Sequence, residues 1–203
     1  MMNITTVIFD IGNVLVDFCW EKFFRQFCDS EEMFKRLTKA TVLDDAWNQF
    51  DKGDLSEKEL RDLFVSNAPD LAATIDRMMA DVNGMVEEYP YAKEWITSLK
   101  SAGYRVLILS NFSEKAYREC ANQLEFVKLA DGAVISYQEK LIKPDKEIYR
   151  RLLERYHVSP DECVFIDDKK ENIRTALDLG MKGIVFSSKE EAVAGLEELG
   201  VYV

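Results

Sequence analysis

The sequence predicts an α/β fold: a parallel sheet of five short strands, interrupted after its first strand by a long helical insertion. Three observations predict it. Short apolar runs alternate with helical patterns from residue 105 onward, the signature of βαβ units. The first such run, Val7-Ile8-Phe9, ends at once in Asp10 and Gly12. Residues 18 to 88, between that strand and the next, carry helical spacing and no convincing strand.

The elements follow in order. Thr6 to Asp10 is apolar and β-branched, as a buried strand requires. In the insertion, Trp20-Phe23-Phe24-Phe27, Met33-Leu37 and Leu60-Leu63-Phe64 repeat at three- and four-residue intervals. Ser56 with Glu59 makes a capping box. The preceding Asp51-Lys52-Gly53-Asp54 resembles a calcium loop but lacks the alternating acids and the final spacing. Further strands are expected at Arg105 to Ser110, Gly132 to Ser136, Cys163 to Asp167 and Gly183 to Phe186. Helices are expected after the N-cap Ser113, from Pro144-Asp145 to about Tyr156, from Lys169 to Leu179 and from Glu190 to Leu199. Gly180 and Gly200 close the last two. This reading divides the chain into a catalytic core, residues 1–17 and 89–203, and a helical cap, residues 18–88. A cap placed there would exclude water and select substrate.

Composition narrows the class. The chain has 203 residues, 47% of them hydrophobic, enough for one core and a small insertion. Its net charge of −11 disfavours nucleic acid and anionic membrane surfaces as partners. The four cysteines have no C-x-x-C spacing, and one histidine cannot complete a Cys/His zinc site. Free thiols, no signal-peptide pattern in MMNITT and no membrane-length apolar run lead to the expectation of a cytoplasmic protein; these features leave monomer or homodimer open. His157 and Arg150-Arg151 read as solvated helix positions.

Four stations fall at strand ends, where open parallel sheets bind ligands. Asp10 is the first, with Gly12 expected to let the backbone turn sharply and present its carbonyl. Ser110-Asn111 is the second, a hydroxyl and an amide ahead of a helix start, suited to phosphate oxygens. Lys143 is the third, fixed by Pro144 at a helix entry and able to neutralise a phosphoryl group or a carboxylate. Asp167-Asp168, with Asn172 one turn on, is the fourth. Two adjacent acids at a strand tip repel one another unless a cation is near, and such oxygen ligands suit Mg2+.

This order of motifs resembles the haloacid dehalogenase superfamily. The matching residues are Phe9-Asp10-Ile11-Gly12-Asn13-Val14-Leu15, Leu109-Ser110-Asn111, Lys143-Pro144 and Phe165-Ile166-Asp167-Asp168 with Asn172. DxGNVLxD and the later DKGDLSEKEL are similar to bacterial glucose-1-phosphate phosphatases of that superfamily. The resemblance implies a Rossmann-like three-layer α/β/α core with strand order 5-4-1-2-3. It implies a phosphatase of a small phosphorylated metabolite, using Mg2+. In that mapping Asp10 is the nucleophile that becomes an aspartyl-phosphate. The Asp10 carboxylate, the Gly12 carbonyl and Asp168 hold Mg2+, with Asp167 in support. Ser110 and Asn111 bind the transferring phosphoryl group, and Lys143 balances charge.

One position departs from the pattern. Most phosphatases of the superfamily carry a second aspartate, the proton-transfer group, where this chain has Gly12. Asp17, Asp51, Asp54 or Lys52 could replace it, or the leaving group could need little protonation, as with a sugar 1-phosphate. Trp47, Phe50 and Asp51 are candidate selectors of substrate. The same gap leaves open a metal-free dehalogenase, a phosphomutase or a non-catalytic phosphate-binding module. Asp167-Asp168 speaks against the dehalogenase, which has no use for two bare acids beside its nucleophile.

Overall fold

The computed structural model describes residues 4–202; of the expected core segment 1–17, residues 1–3 lie outside the described residues. In chain order the strands and α-helices are β1 (Thr6–Phe9), β2 (Val16–Phe18), α1 (Trp20–Arg25), α2 (Glu31–Ala40), α3 (Asp45–Lys52), α4 (Glu57–Asn67) and α5 (Ala72–Ala80). There follow β3 (Val86–Glu88), α6 (Ala92–Ser101), β4 (Arg105–Ser110), α7 (Glu114–Glu119), β5 (Gly132–Ile135) and α8 (Ser136–Glu139). The chain ends with α9 (Lys146–Tyr156), β6 (Cys163–Asp167), α10 (Lys170–Asp178), β7 (Lys182–Val185) and α11 (Lys189–Glu198).

Five strands form a parallel sheet in the order β5-β4-β1-β6-β7. Counted within this sheet alone, that is the expected 5-4-1-2-3. The period-2 alternation of each strand feeds two apolar layers. Val7, Phe9, Val106, Ile108, Val164 and Ile166 pack with Trp95, Ile96 and Leu99 of α6 and Leu196 of α11. Ile8, Leu107, Leu109 and Phe165 pack with Ile148, Tyr149 and Leu152 of α9 and Ile173 of α10. The sheet is therefore covered on both faces, which is why its strands read as unbroken apolar runs.

Helices α1–α5 build a separate apolar cluster around Phe24, Leu37, Leu60, Phe64 and Ile75. Ser30, Asp44 and Ser56 cap α2, α3 and α4 through their side chains, and Ser56 with Glu59 completes the expected capping box. The insertion is not free of strand, as the sequence suggested. Val86–Glu88 pairs antiparallel with Val16–Phe18, forming a two-stranded ribbon where the chain leaves and re-enters the core. Three-residue strands are too short to show alternation.

Two local readings change as well. Pro144 lies before the helix, not in its first turn: the N-cap of α9 is Asp145, whose side chain accepts from the Glu147 N–H. The left-handed turn after β1 falls on Asn13, at φ 57°, rather than on Gly12. Asn tolerates that region better than most residues.

Phe64 is fully buried and stacks on Trp47, ring centroids 6.1 Å apart. Phe64→Ala is expected to cost about 3–5 kcal/mol in urea unfolding, the range for truncating a buried aromatic. A cost under about 1 kcal/mol would contradict the packing described.

Candidate active site

The sheet register assembles the site. Phe9 pairs with Ile108 on one side and Ile166 on the other, so the carboxyl ends of β1, β4 and β6 lie level. Asp10 and Asp167 follow at neighbouring strand tips, and the Asp10 N–H donates to the Ile166 carbonyl at 2.9 Å. By alternation Asp10 shares its face with Ile8, and Asp167 with Phe165. That is the α9–α10 face, from which Lys143 arrives.

Lys143 is the hub. Its side chain is 1% exposed, and its Nζ lies 2.8 Å from Asp10 Oδ1 and 2.7 Å from Asp167 Oδ2. The Phe165 ring sits beneath it, 5.2 Å to the centroid. Asn111 fixes its backbone reciprocally: Asn111 Nδ2 donates to the Lys143 carbonyl, and the Lys143 N–H donates to Asn111 Oδ1. Burial would strip the ammonium of its proton, but Asp10 and Asp167 outweigh burial and raise its pKa.

Asp10 is asymmetric. Oδ1 accepts from the Ile11 N–H at 2.7 Å and from Ser110 Oγ at 2.7 Å, and it faces Lys143. Oδ2 makes no hydrogen bond among the described residues. Burial pushes the carboxyl up to about 6, with a further push from Asp167, against the pull of Lys143 and Ser110. Asp167 is saturated instead: Asn172 Nδ2 bonds both its oxygens, the Lys169 N–H donates to Oδ1, and Lys143 faces Oδ2. Asp168 is half-buried, its Oδ2 accepting from Asn13 Nδ2 at 2.9 Å.

One carboxylate oxygen each from Asp10, Asp167 and Asp168 can lie within 4.8 Å of one another. Three carboxylates thus face one buried ammonium, an excess of negative charge that a divalent cation would balance. Hard oxygen donors of this kind suit Mg2+, and the donor set fits that ion.

These groups open on a cavity of about 200 Å³. Its floor includes Asp10, Gly12, Asn111, Lys143 and Asp168; its roof includes Val42, Trp47, Asn48 and Asp51 from the insertion. The insertion is tied down over it. Ser136 Oγ donates to the Asp51 carbonyl and Lys140 Nζ to the Gly53 carbonyl. Glu57 pairs with Lys115 at 3.3 Å and Arg118 at 3.2 Å.

The expected site residues separate here. Asp10, Gly12, Asn111, Lys143 and Asp168 line the cavity; Ser110 is buried behind Asp10 and Asp167 behind Lys143. Trp47 and Asp51 line it too. Phe50 does not, being buried in the insertion's own core. Asp54 pairs with Lys52 at 2.8 Å outside the cavity, and exposed Asp17 on β2 faces away from it. His157 ends α9 in an exposed left-handed position. Sequence reasoning missed the parts played by Asn13, which holds Asp168, and Lys169, which donates its backbone N–H to Asp167 and lines the cavity. An Asn directly after a Gly at a strand tip was the available signal for the first.

With this geometry established, comparison with known proteins identifies the class. Residues 4–180 match the family of haloacid dehalogenase-like hydrolases, and the chain belongs to that family. It is 26% identical over 178 residues to the sesquiterpene phosphatase astK of Aspergillus oryzae, spanning 87% of each chain. It is 26% identical over 164 residues to flavin mononucleotide hydrolase 1 of Arabidopsis thaliana, covering 77% of this chain and 63% of that one. A HAD family enzyme of Bacteroides thetaiotaomicron, solved with magnesium and inorganic phosphate, superposes with a TM-score of 0.74 at 24% identity. That superposition covers 92% of this chain and 96% of the other. Among the described residues no helix is long and apolar enough to cross a membrane.

Removing the hub leaves two buried carboxylates unpaired. In metal-free buffer Lys143→Met is expected to lose about 3–5 kcal/mol of stability at pH 8. The Asp10 carboxyl is raised above its value in the unfolded chain, so stability falls as pH rises through about 6. Without Lys143 that carboxyl rises further, and the penalty should shrink at pH 5. Urea titrations at the two pH values check this; an equal loss at both would contradict it.

Proposed function

We propose that the protein is a Mg2+-dependent phosphomonoester hydrolase acting on a small phosphorylated metabolite through an aspartyl-phosphate on Asp10. The observation that carries this reading is the asymmetry of Asp10. Three donors hold Oδ1 in place, while Oδ2 carries no hydrogen bond among the described residues and Asp10 lines the cavity beside Asp168. Phosphoryl transfer asks chiefly for alignment and charge neutralisation, and both are provided here. A nucleophilic carboxylate splits the hydrolysis into two displacements at phosphorus.

In this reading Asp10, the Gly12 carbonyl and Asp168 hold Mg2+, which neutralises charge on the phosphoryl oxygens when bound. Asp167 acts in support: with three donors making four contacts to its oxygens, it positions Lys143 and buttresses the cluster. Lys143 keeps Asp10 aligned and offsets charge as the phosphoryl group arrives. Ser110 Oγ can turn from Asp10 to a phosphoryl oxygen, and Asn111 already stands in the cavity wall. The relatives named as phosphatase and hydrolase support a phosphate ester as the substrate class. The segment 18–88 serves as the cap, and its apolar Val42 and Trp47 beside Asn48 suit a leaving group with both an apolar and a hydrogen-bonding surface. A sugar phosphate such as glucose 1-phosphate is one such substrate. The cluster of three carboxylates again disfavours a metal-free dehalogenase.

Phosphate release from a panel of phosphorylated metabolites, with Mg2+ and with EDTA, tests this. Release is expected only with metal, and Asp10→Asn should abolish it. Metal-independent chloride release from 2-chloropropionate, with no phosphate release from any ester, would overturn it.

A further inference from the structure

Hydrolysis through Asp10 needs a proton at the departing oxygen and a proton acceptor for the attacking water. Neither Asp10 nor the groups around it can supply both. Asp10 is the attacking group, Lys143 is locked between two carboxylates, and Asp168 belongs to the carboxylate cluster suited to the cation. No side chain stands at Gly12, although a Cβ there would meet no atom within 4 Å. The position is therefore open space and not a steric requirement.

The remaining carboxylate of the cavity comes from above. Asp51, in the last turn of α3, lines the same cavity as Asp10, Gly12 and Lys143. Among the described residues its carboxyl makes no ion pair and no hydrogen bond to Asp10, Asp167 or Asp168. Its backbone, however, is anchored. Ser136 Oγ of the core holds the Asp51 carbonyl, and Lys140 Nζ holds the carbonyl of Gly53, the C-cap of α3. Gly53 has φ 77°, and a Cβ there would come within 3.1 Å of the Tyr137 carbonyl oxygen and 2.6 Å of Lys140 Nζ. Only glycine brings this end of the cap so close to the core. The contact fixes Asp51 over the site, with the Ser113 backbone as the hydrogen-bond partner of its carboxyl and no ion pair on it among the described residues.

We propose that Asp51 is the catalytic acid and base of this site, delivered by the cap in place of a group on the core. The inference rests on the phosphatase reading. In the first half an Asp10 oxygen bonds to phosphorus and the bond from phosphorus to the leaving oxygen breaks. The electron pair goes to that oxygen, which takes the proton of Asp51. In the second half a water oxygen bonds to phosphorus, and the bond to Asp10 breaks with its electron pair returning to the carboxylate. The water proton goes to Asp51, restoring it. The sum is ester and water giving alcohol and phosphate.

The electrostatics agree. Burial pushes the Asp51 carboxyl up to about 7; Lys169 and the Ser113 backbone pull it down, and Asp10 pushes it up. An acid poised near neutrality can both donate and accept. The other charged groups facing the cavity are Lys143 and Asp168, while Lys52 on α3 is paired with Asp54.

The test uses the full chain with Mg2+ and two substrates: p-nitrophenyl phosphate, whose leaving group needs no proton, and the alkyl phosphate that the wild type hydrolyses best. Asp51→Asn should lower kcat/KM for the alkyl ester by about 10²–10⁴-fold. With p-nitrophenyl phosphate it should still release a burst of nitrophenolate, about one per active site, and then stall as the phosphoenzyme accumulates for want of a base. Asp51→Ser carries the same comparison should the Asn variant not fold. Equal loss on both substrates, burst included, would mean a merely structural residue and overturn the proposal, as would unchanged activity on both. A wild type that hydrolyses no ester would instead overturn the phosphatase reading itself.

Discussion

The site depends on one buried ammonium. Lys143 stands between Asp10 and Asp167 at the tips of two adjacent strands, almost wholly out of water. Carboxylates at such tips would otherwise take up protons or force the strands apart, because burial penalises the charged form. Much of the surrounding structure serves to keep Lys143 there. The parallel register levels the strand tips, Asn111 locks its backbone from both sides, and Phe165 supports the ammonium. Asn172 and the Lys169 N–H occupy the rest of Asp167. Asp10 is left as the one carboxylate of the pair with an unbonded oxygen, which makes it the natural place for chemistry.

The second constraint is closure. A family core reads as complete in the sheet, yet here the cavity has its roof and its remaining acid, Asp51, on the insertion. The ties at Ser136, Lys140, Lys115 and Arg118 fasten that roof. Cap position and proton transfer are therefore one problem in this chain. A substrate that failed to let the cap seat would also lack its proton donor, so selection and catalysis are coupled through α3.

Much of this was legible in the sequence. The sheet strands and the four stations could be read because buried strands are apolar runs and because each run stops at a polar or charged residue; the strand order came only from the resemblance to the family. What failed was non-local or too short. The ribbon of Val16–Phe18 with Val86–Glu88 offers three residues a side, no basis for a periodic signal. Spacing groups Ala46 with Phe50 and Trp47 with Asp51 as helical neighbours, but does not say which pair meets the cavity. The structure gives that to Trp47 and Asp51 and sends Phe50 inward. The choice is set by contacts such as Ser136 with Asp51, 85 residues apart. Gly12 misled in its reason: the left-handed turn is at Asn13, and Gly12 matters for the space it leaves.

The central claim, that Asp10 attacks phosphorus, is tested most directly by a single turnover in H2(18)O followed by acid quench and peptide mapping. The account predicts a phosphoryl group on the peptide carrying Asp10 during turnover, with the label then found in released phosphate and none in Asp10. Label incorporated into the Asp10 carboxyl would mean attack on carbon and ester hydrolysis at the aspartate, the chemistry of a dehalogenase. Phosphate released with no phosphorylated Asp10 would mean that water attacks the substrate directly. Either result would contradict the account.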